Sequence, residues 1–375
     1  MRRCKSLLAL VIFLICLPSA RATQVSRQID SLGREYYVFI PDKIDPAMTY
    51  WLVVEVHGYG GGGSAQSGVR GWVEHENCIG VAPSFPNEGY QMLAKDSDRQ
   101  LAGIFQKLKQ TYKLHDKLFL YGHSGGAQFA HRFTSKYPEL VAACCATSAG
   151  SWATGTTSDA LNQAAAGVPM AISCGEKDGK SLPNSPMTRY EWAKKFEEEL
   201  AQRHFFYKAS YWPNAGHEGD PRGNAELAME AFSLGTTGMV GADRGEFEAK
   251  MEALNNEVRT GDFAHAISGG GILMNEMKQR GPKETANNLA ASHWNAAAPA
   301  VDACTETTKR FVAGRLQKLS SDVQEAALAE VATREKQPGP ESVIRLRSLY
   351  NTFAAWTRVR TAVSQAMLRM HAGTQ

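Results

Sequence analysis

Leu118-Phe119-Leu120-Tyr121-Gly122-His123-Ser124-Gly125-Gly126 is an apolar run that stops at a serine framed by glycines, and a helical pattern over residues 125–137 follows at once. A continuous apolar run suits a strand buried on both faces. The Gly-x-Ser-x-Gly spacing then places Ser124 on a sharp strand-to-helix turn, because a side chain on a flanking glycine would collide with neighbouring backbone. Only the hydroxyl is presented. The first amides of the helix point toward any negative charge that develops beside it, which makes the N–H of Gly125 one candidate oxyanion donor. The pentapeptide alone occurs by chance in many chains. Its setting between a strand and a helix is what gives it weight.

Outward from this turn, apolar runs at residues 35–40, 51–56, 79–84, 141–148, 170–174 and 207–212 read as further strands. They alternate with helical patterns at 97–113, 125–137 and 190–204. Strands alternating with helices predict an α/β fold, a mostly parallel sheet with helices on both faces. After Leu234-Gly235 the β-type runs end. Residues 244–258 carry Phe247, Met251, Leu254 and Val258 on one helical face, and Leu346, Leu349, Phe353, Trp356, Val363 and Met367 form another stripe. Gln337-Pro338-Gly339-Pro340 breaks the helices, and Ser268-Gly269-Gly270-Gly271 is expected to be a second break. The expected organisation is a leader over 1–22, a catalytic domain over 23–236 and an all-helical C-terminal appendage over 237–375 that packs on the domain as support.

The leader reads Met1-Arg2-Arg3-Cys4-Lys5, an apolar run from Leu7 to Leu17, then Ala20-Arg21-Ala22. A basic start, a short apolar segment and an Ala-x-Ala site describe a secretory signal peptide, and the run is roughly half the 20 residues a span requires. The expected location is therefore secreted or periplasmic, without stable membrane insertion. The chain has 375 residues, 43% apolar, with a net charge of +3. That size can bury a full core, and the small charge without a basic, aromatic-interleaved run argues against nucleic acid as a partner. Cys78, Cys144, Cys145, Cys174 and Cys304 show no metal-ligand spacing, so no metal site is expected; one disulfide is compatible with an oxidising compartment, with no pair singled out.

A serine hydroxyl is a poor nucleophile until a base takes its proton, and the base needs an orienting carboxylate. On a strand-turn-helix nucleophile the order along the chain is Ser, acid, His. Of the histidines after Ser124, His131 and His204 fall within or at the end of helical patterns, whereas His217 lies in Pro213-Asn214-Ala215-Gly216-His217, directly after the last strand run. The acid should follow the preceding strand, and Ser173-Cys174-Gly175-Glu176-Lys177-Asp178 supplies Asp178, with Glu176, Asp159 and Asp220 as rivals. The second oxyanion donor is expected from the glycine-rich loop after Val53-Val54-Glu55-Val56: the N–H of Tyr59, with Gly60 as fallback. No Walker lysine follows these glycines, so phosphate binding is not expected. Trp152 and the region of Tyr90 are candidate aromatic pocket walls.

His57-Gly58-Tyr59-Gly60, the Gly122–Gly126 elbow, Asp178 and Gly216-His217 together resemble the single-domain esterases related to extracellular polyhydroxybutyrate depolymerases, feruloyl esterases and acetyl xylan esterases, over residues 28–234. The resemblance implies an α/β-hydrolase fold and a Ser-Asp-His carboxylic ester hydrolase that uses no cofactor, acting on a small or polymeric ester. Two features depart from that group. His123 precedes the serine where several of those enzymes carry another residue, and the helical region after Thr237 is not part of their shared core. A serine peptidase of the prolyl-oligopeptidase type would share fold and triad, but it normally brings a large N-terminal gating domain, for which this reading leaves no room. A non-catalytic binding or scaffold protein on the same core is the alternative of a different class, and it has no physical need for all of Ser124, Asp178 and His217.

Overall fold

Each apolar run becomes a strand of one eight-stranded sheet in the computed structural model, which describes residues 23–65, 68–154, 161–180 and 184–372. The expected leader lies outside the described residues. The elements are β1 (Thr23–Ile29), β2 (Glu35–Pro41), β3 (Tyr50–Val56), α1 (Gly68–His75), β4 (Cys78–Pro83), α2 (Ser97–Thr111), β5 (Leu114–His123), α3 (Gly125–Lys136), β6 (Val141–Thr147), β7 (Met170–Gly175), α4 (Arg189–Gln202), β8 (Tyr207–Trp212) and α5 (Pro221–Thr237). After these come α6 (Gly241–Thr260), α7 (Phe263–Gln279), α8 (Pro282–Ala291), α9 (Ala298–Lys336), α10 (Pro340–Thr352) and α11 (Thr357–Ala372). Strand order is β1-β2-β4-β3-β5-β6-β7-β8. β2 is antiparallel to both neighbours and the remaining pairs are parallel, the arrangement of an α/β-hydrolase.

The alternation of side chains along each strand divides the core in two. Leu52, Val54, Leu118, Leu120, Cys144 and Ala146 face α2, α3 and α4 through Leu101, Phe129, Phe133 and Phe196. Val53, Phe119, Ala143 and Cys145 face α1 and α5 through Val69, Val73, Leu227 and Phe232. Burial on both sides is why these strands carry no polar alternation. β1 was not anticipated. Its sequence, TQVSRQI, is largely exposed, and it exists as a strand through its antiparallel ladder with β2.

The helical region begins as part of the second core rather than as a separate body. Trp294, Ala300, Val301 and Cys304 join that core, Trp294 meets Phe206 edge-on at 5.3 Å, and its indole N–H donates to Glu230 at 3.0 Å. Asn295 also forms a bridge with Tyr207 at the start of β8. α9 then carries the chain onward into a third cluster, where Val312, Leu316, Leu319 and Val323 pack with Phe247, Met251, Leu273, Leu346, Phe353 and Val363. The stripe from Leu346 to Met367 is shared between α10 and α11.

The expected break at Ser268-Gly269-Gly270-Gly271 does not occur, because α7 runs through it. Gly269 serves close packing instead: a Cβ there would stand 2.4 Å from Leu254 Cδ2, whereas one on Gly270 would be in ordinary contact with Leu319 at 3.4 Å and one on Gly271 would meet nothing. Tertiary contact here outweighs the helix propensity of glycine, a cost of about 1 kcal/mol per residue. Cys78, Cys144, Cys145, Cys174 and Cys304 are all buried, and no disulfide joins any two of them. No helix among the described residues is long and apolar enough to cross a membrane.

Candidate active site

β5 ends at His123 and α3 begins at Gly125, leaving Ser124 at φ 55°, ψ −116°. A non-glycine residue held there is strained, and the neighbours that hold it are close. A Cβ on Gly122 would fall 2.3 Å from the carbonyl of Gly126, and one on Gly126 would fall 2.1 Å from Val56 O. The Ser124 N–H donates to Thr147 O at 2.9 Å, tying the elbow to β6.

Residues far apart in the chain converge on this turn. His217 Nε2 lies 2.9 Å from Ser124 Oγ, and His217 Nδ1 lies 2.9 Å from Asp178 Oδ2. The loops that bring them are laced together: Lys177 N–H donates to Ala215 O at 2.9 Å and Glu176 N–H to Trp212 O at 3.1 Å. A Cβ on Gly175 would stand 2.1 Å from Gly216 O, so this lacing requires glycine. Asp178 is buried. Its Oδ1 meets Arg189 Nη1 at 3.2 Å, and the Cys174 thiol approaches Oδ2 at 3.7 Å. Burial, with Asp178 adding to it, pushes that thiol up to about 12, so it stays protonated. Of the rival acids, Glu176 is exposed, Asp220 accepts from Arg222 N–H at the start of α5, and Asp159 is outside the described residues.

The glycine-rich loop reaches the same space. Gly61 N–H donates to Gly58 O at 3.1 Å around a turn with Gly60 at φ 78°. A Cβ on Gly58 would be 3.7 Å from Ser124 Cβ, and one on Gly125 would be 2.9 Å from Tyr59 N. It is therefore Tyr59, ahead of Gly60, whose amide approaches Gly125. Gly125 opens α3, where helix N–H groups have no intrahelical acceptor. The Tyr59 side chain itself is 68% exposed.

Buried polar groups hold this loop from below. His57 Nε2 accepts the Phe85 N–H at 3.0 Å, which leaves the proton on Nδ1 to donate to Gly58 O at 2.8 Å. Burial lowers the pKa of His57 and keeps it in this neutral tautomer. The Tyr90 hydroxyl donates to His57 O at 2.7 Å. Tyr90 was expected as a pocket wall; it is fully buried against Phe85, because its hydroxyl finds a partner inside the protein. Trp152, the other expected wall, is also buried, stacked on Phe196 at 4.9 Å. His131 is a core residue bonded to Ala127 O.

His123 stands beside this hydrogen-bonded set, its ring 5.0 Å from that of His217. Thr147 Oγ1 donates to Gly122 O and so accepts from His123 Nδ1 at 3.1 Å. Burial, then the neighbouring His217, lowers its pKa. Arg189 and Thr147 carry no signal in the sequence, and neither do the hydrogen bonds through which His57 and Tyr90 hold the loop. Each acts through a contact distant in sequence, for which no local pattern exists. A cavity of about 860 Å³ lies elsewhere, between Trp51 and Lys117 on one side and Glu248, Met251 and Arg315 on the other, and none of Ser124, Asp178 and His217 lines it.

No protein-family model matches the chain, and no curated protein matches it. Among solved structures it is similar to a ferulic acid esterase from Anaeromyces mucronatus, at 16% identity and a TM-score of 0.45 over 58% of this chain and 91% of that one. It is similar also to a poly(3-hydroxybutyrate) depolymerase from Bordetella parapertussis, at 19% identity and a TM-score of 0.46 over 60% and 94%. An S-formylglutathione hydrolase from Staphylococcus aureus matches at 13% identity and a TM-score of 0.44 over 58% and 97%.

Proposed function

We propose that this protein is a serine hydrolase that cleaves carboxylic esters, small or polymeric, through an acyl-enzyme on Ser124. The observation that carries the reading is the unbroken hydrogen-bonded chain from Ser124 Oγ to His217 Nε2 and from His217 Nδ1 to Asp178 Oδ2, each link 2.9 Å, on a serine held at φ 55°.

In this reading Ser124 Oγ attacks the ester carbonyl while His217 Nε2 accepts its proton, and buried Asp178 orients the imidazole and stabilises its charged form. The oxyanion of the tetrahedral intermediate is held by the N–H groups of Tyr59 and Gly125. His217 returns the proton to the departing alcohol, then activates a water that cleaves the acyl-enzyme and regenerates the Ser124 hydroxyl. Every step uses side chains and amides of the chain, so the mechanism calls for no cofactor. Catalysis is assigned to residues 23–236, with 237–375 as support. The Ala20-Arg21-Ala22 site after an apolar run supports export with cleavage after Ala22.

Ser124→Ala is expected to abolish turnover of p-nitrophenyl acyl esters and labelling by a fluorophosphonate. Retained turnover in that variant would sink the assignment. Faster cleavage of aminoacyl-proline amides than of esters by the parent would move the reading to a peptidase.

A further inference from the structure

The Asp178 side chain is 1% exposed. A carboxylate so buried needs charge-assisted partners, and the mechanism above uses only Oδ2. Oδ1 is occupied by Arg189 Nη1 at 3.2 Å, while Cys174 adds a weak thiol donor on Oδ2. Arg189 is itself well fixed. It is the first residue of α4, behind the N-cap Thr188, which forms a capping box with Glu191. Its own N–H donates to Gly179 O at 2.9 Å, and Nη1 also reaches Gly179 O and Lys180 O at 3.5 and 3.4 Å. The guanidinium thereby clasps the turn that carries Asp178 onto the start of α4.

We propose that Arg189 is a positioning residue of the active site: it holds Asp178 Oδ1 so that Oδ2 faces His217, and its positive charge limits how strongly the carboxylate favours a protonated imidazole. The inference rests on the triad reading above. The other titratable or charged groups around the pair are His123 at the end of β5, Glu218 next to His217, and Cys174 on β7. None of them contacts Oδ1. A positive charge shared by the acid is a compromise, since it steadies the geometry while weakening the field at the base.

The test is kcat and KM against pH for a p-nitrophenyl ester in Arg189→Ala, Arg189→Lys, Asp178→Asn and the double variant Asp178→Asn/Arg189→Ala. Arg189→Ala is expected to lower kcat by about tenfold to a hundredfold with KM little changed. It should also move the acidic limb of the profile to higher pH, because the unshared carboxylate holds the imidazole proton more firmly. Arg189→Lys keeps the charge and should return the limb toward the parent position, with only part of the rate, since the shorter side chain cannot place its ammonium where Nη1 meets Asp178, Gly179 and Lys180 together. With Asp178→Asn, which alone costs on the order of 10⁴-fold, removing Arg189 should cost little more. Equal losses with and without the Asp178 carboxylate, or a fall in rate with an unmoved acidic limb, would overturn the proposal. Should Arg189→Ala not fold, Arg189→Gln keeps a hydrogen bond without the charge, and an unmoved limb there is equally adverse. Turnover that survives Ser124→Ala marks failure of the triad reading itself, whereas loss in Ser124→Ala beside an unmoved Arg189→Ala profile marks failure of this inference alone.

Discussion

A methyl group at Gly125 tests the oxyanion assignment more sharply than any change at the triad. The added Cβ would lie 2.6 Å from the Tyr90 hydroxyl and 2.9 Å from Tyr59 N, so both contacts must open by about 0.5–1 Å to reach ordinary contact. Tyr90 has little room, because its ring is fully buried against Phe85 and its hydroxyl is bonded to His57 O at 2.7 Å. The displacement therefore passes to the loop carrying the Tyr59 amide. Losing one oxyanion donor raises the barrier by about 2.7–4 kcal/mol, a fall of roughly 10²- to 10³-fold in kcat. KM should change little, since the donor engages the tetrahedral oxygen rather than the ground-state carbonyl. Stability should drop by only about 1 kcal/mol, the worth of the strained Tyr90 hydrogen bond. Steady-state kinetics on a p-nitrophenyl ester, with urea unfolding alongside, measure both. Adding Tyr90→Phe removes the oxygen that the methyl meets and should recover part of the rate. A folded Gly125→Ala protein within about threefold of the parent kcat would refute the placement of the hole between Tyr59 and Gly125.

Two further expectations concern stability. Burial alone would raise the pKa of Asp98, but hydrogen bonds from Lys136 and Tyr137 outweigh it and hold the carboxyl below its usual range. A depressed folded-state pKa contributes stability that is present above the unfolded value, about 3.9, and is lost as pH falls through the folded one. Asp98→Asn should thus destabilise by about 1–3 kcal/mol at neutral pH, with the gap to the parent closing below about pH 4 in urea unfolding curves; a gap constant with pH would contradict this. Trp294→Ala empties a buried site shared by the helical region and the second sheet face, and should cost about 3–5 kcal/mol while leaving kcat at low temperature unchanged. An unchanged melting temperature would show that the helical region does not support the hydrolase core.

The order of strands and helices, the elbow, and the succession Ser124, Asp178, His217 were legible because each is written locally. A strand buried on both faces must be apolar throughout, and glycines must flank the serine where Gly122 lies against Gly126 and Gly126 against Val56. Loops at consecutive strand ends of a parallel sheet then share one edge, so residues in the right chain order meet. Other features carry no such local mark. β1 is polar and exposed, and becomes a strand only because β2 offers it a hydrogen-bonding edge. The glycines of α7 read as a break in isolation, yet the helix runs through them, with Leu254 of α6 pressed against Gly269. Arg189 on Asp178, and Tyr90 and Phe85 on His57, are hydrogen bonds between polar groups whose spacing follows no period. A chain can announce through its periodicity which faces it buries, but which buried polar group finds which partner is decided only when distant segments have packed and every desolvated donor must find an acceptor.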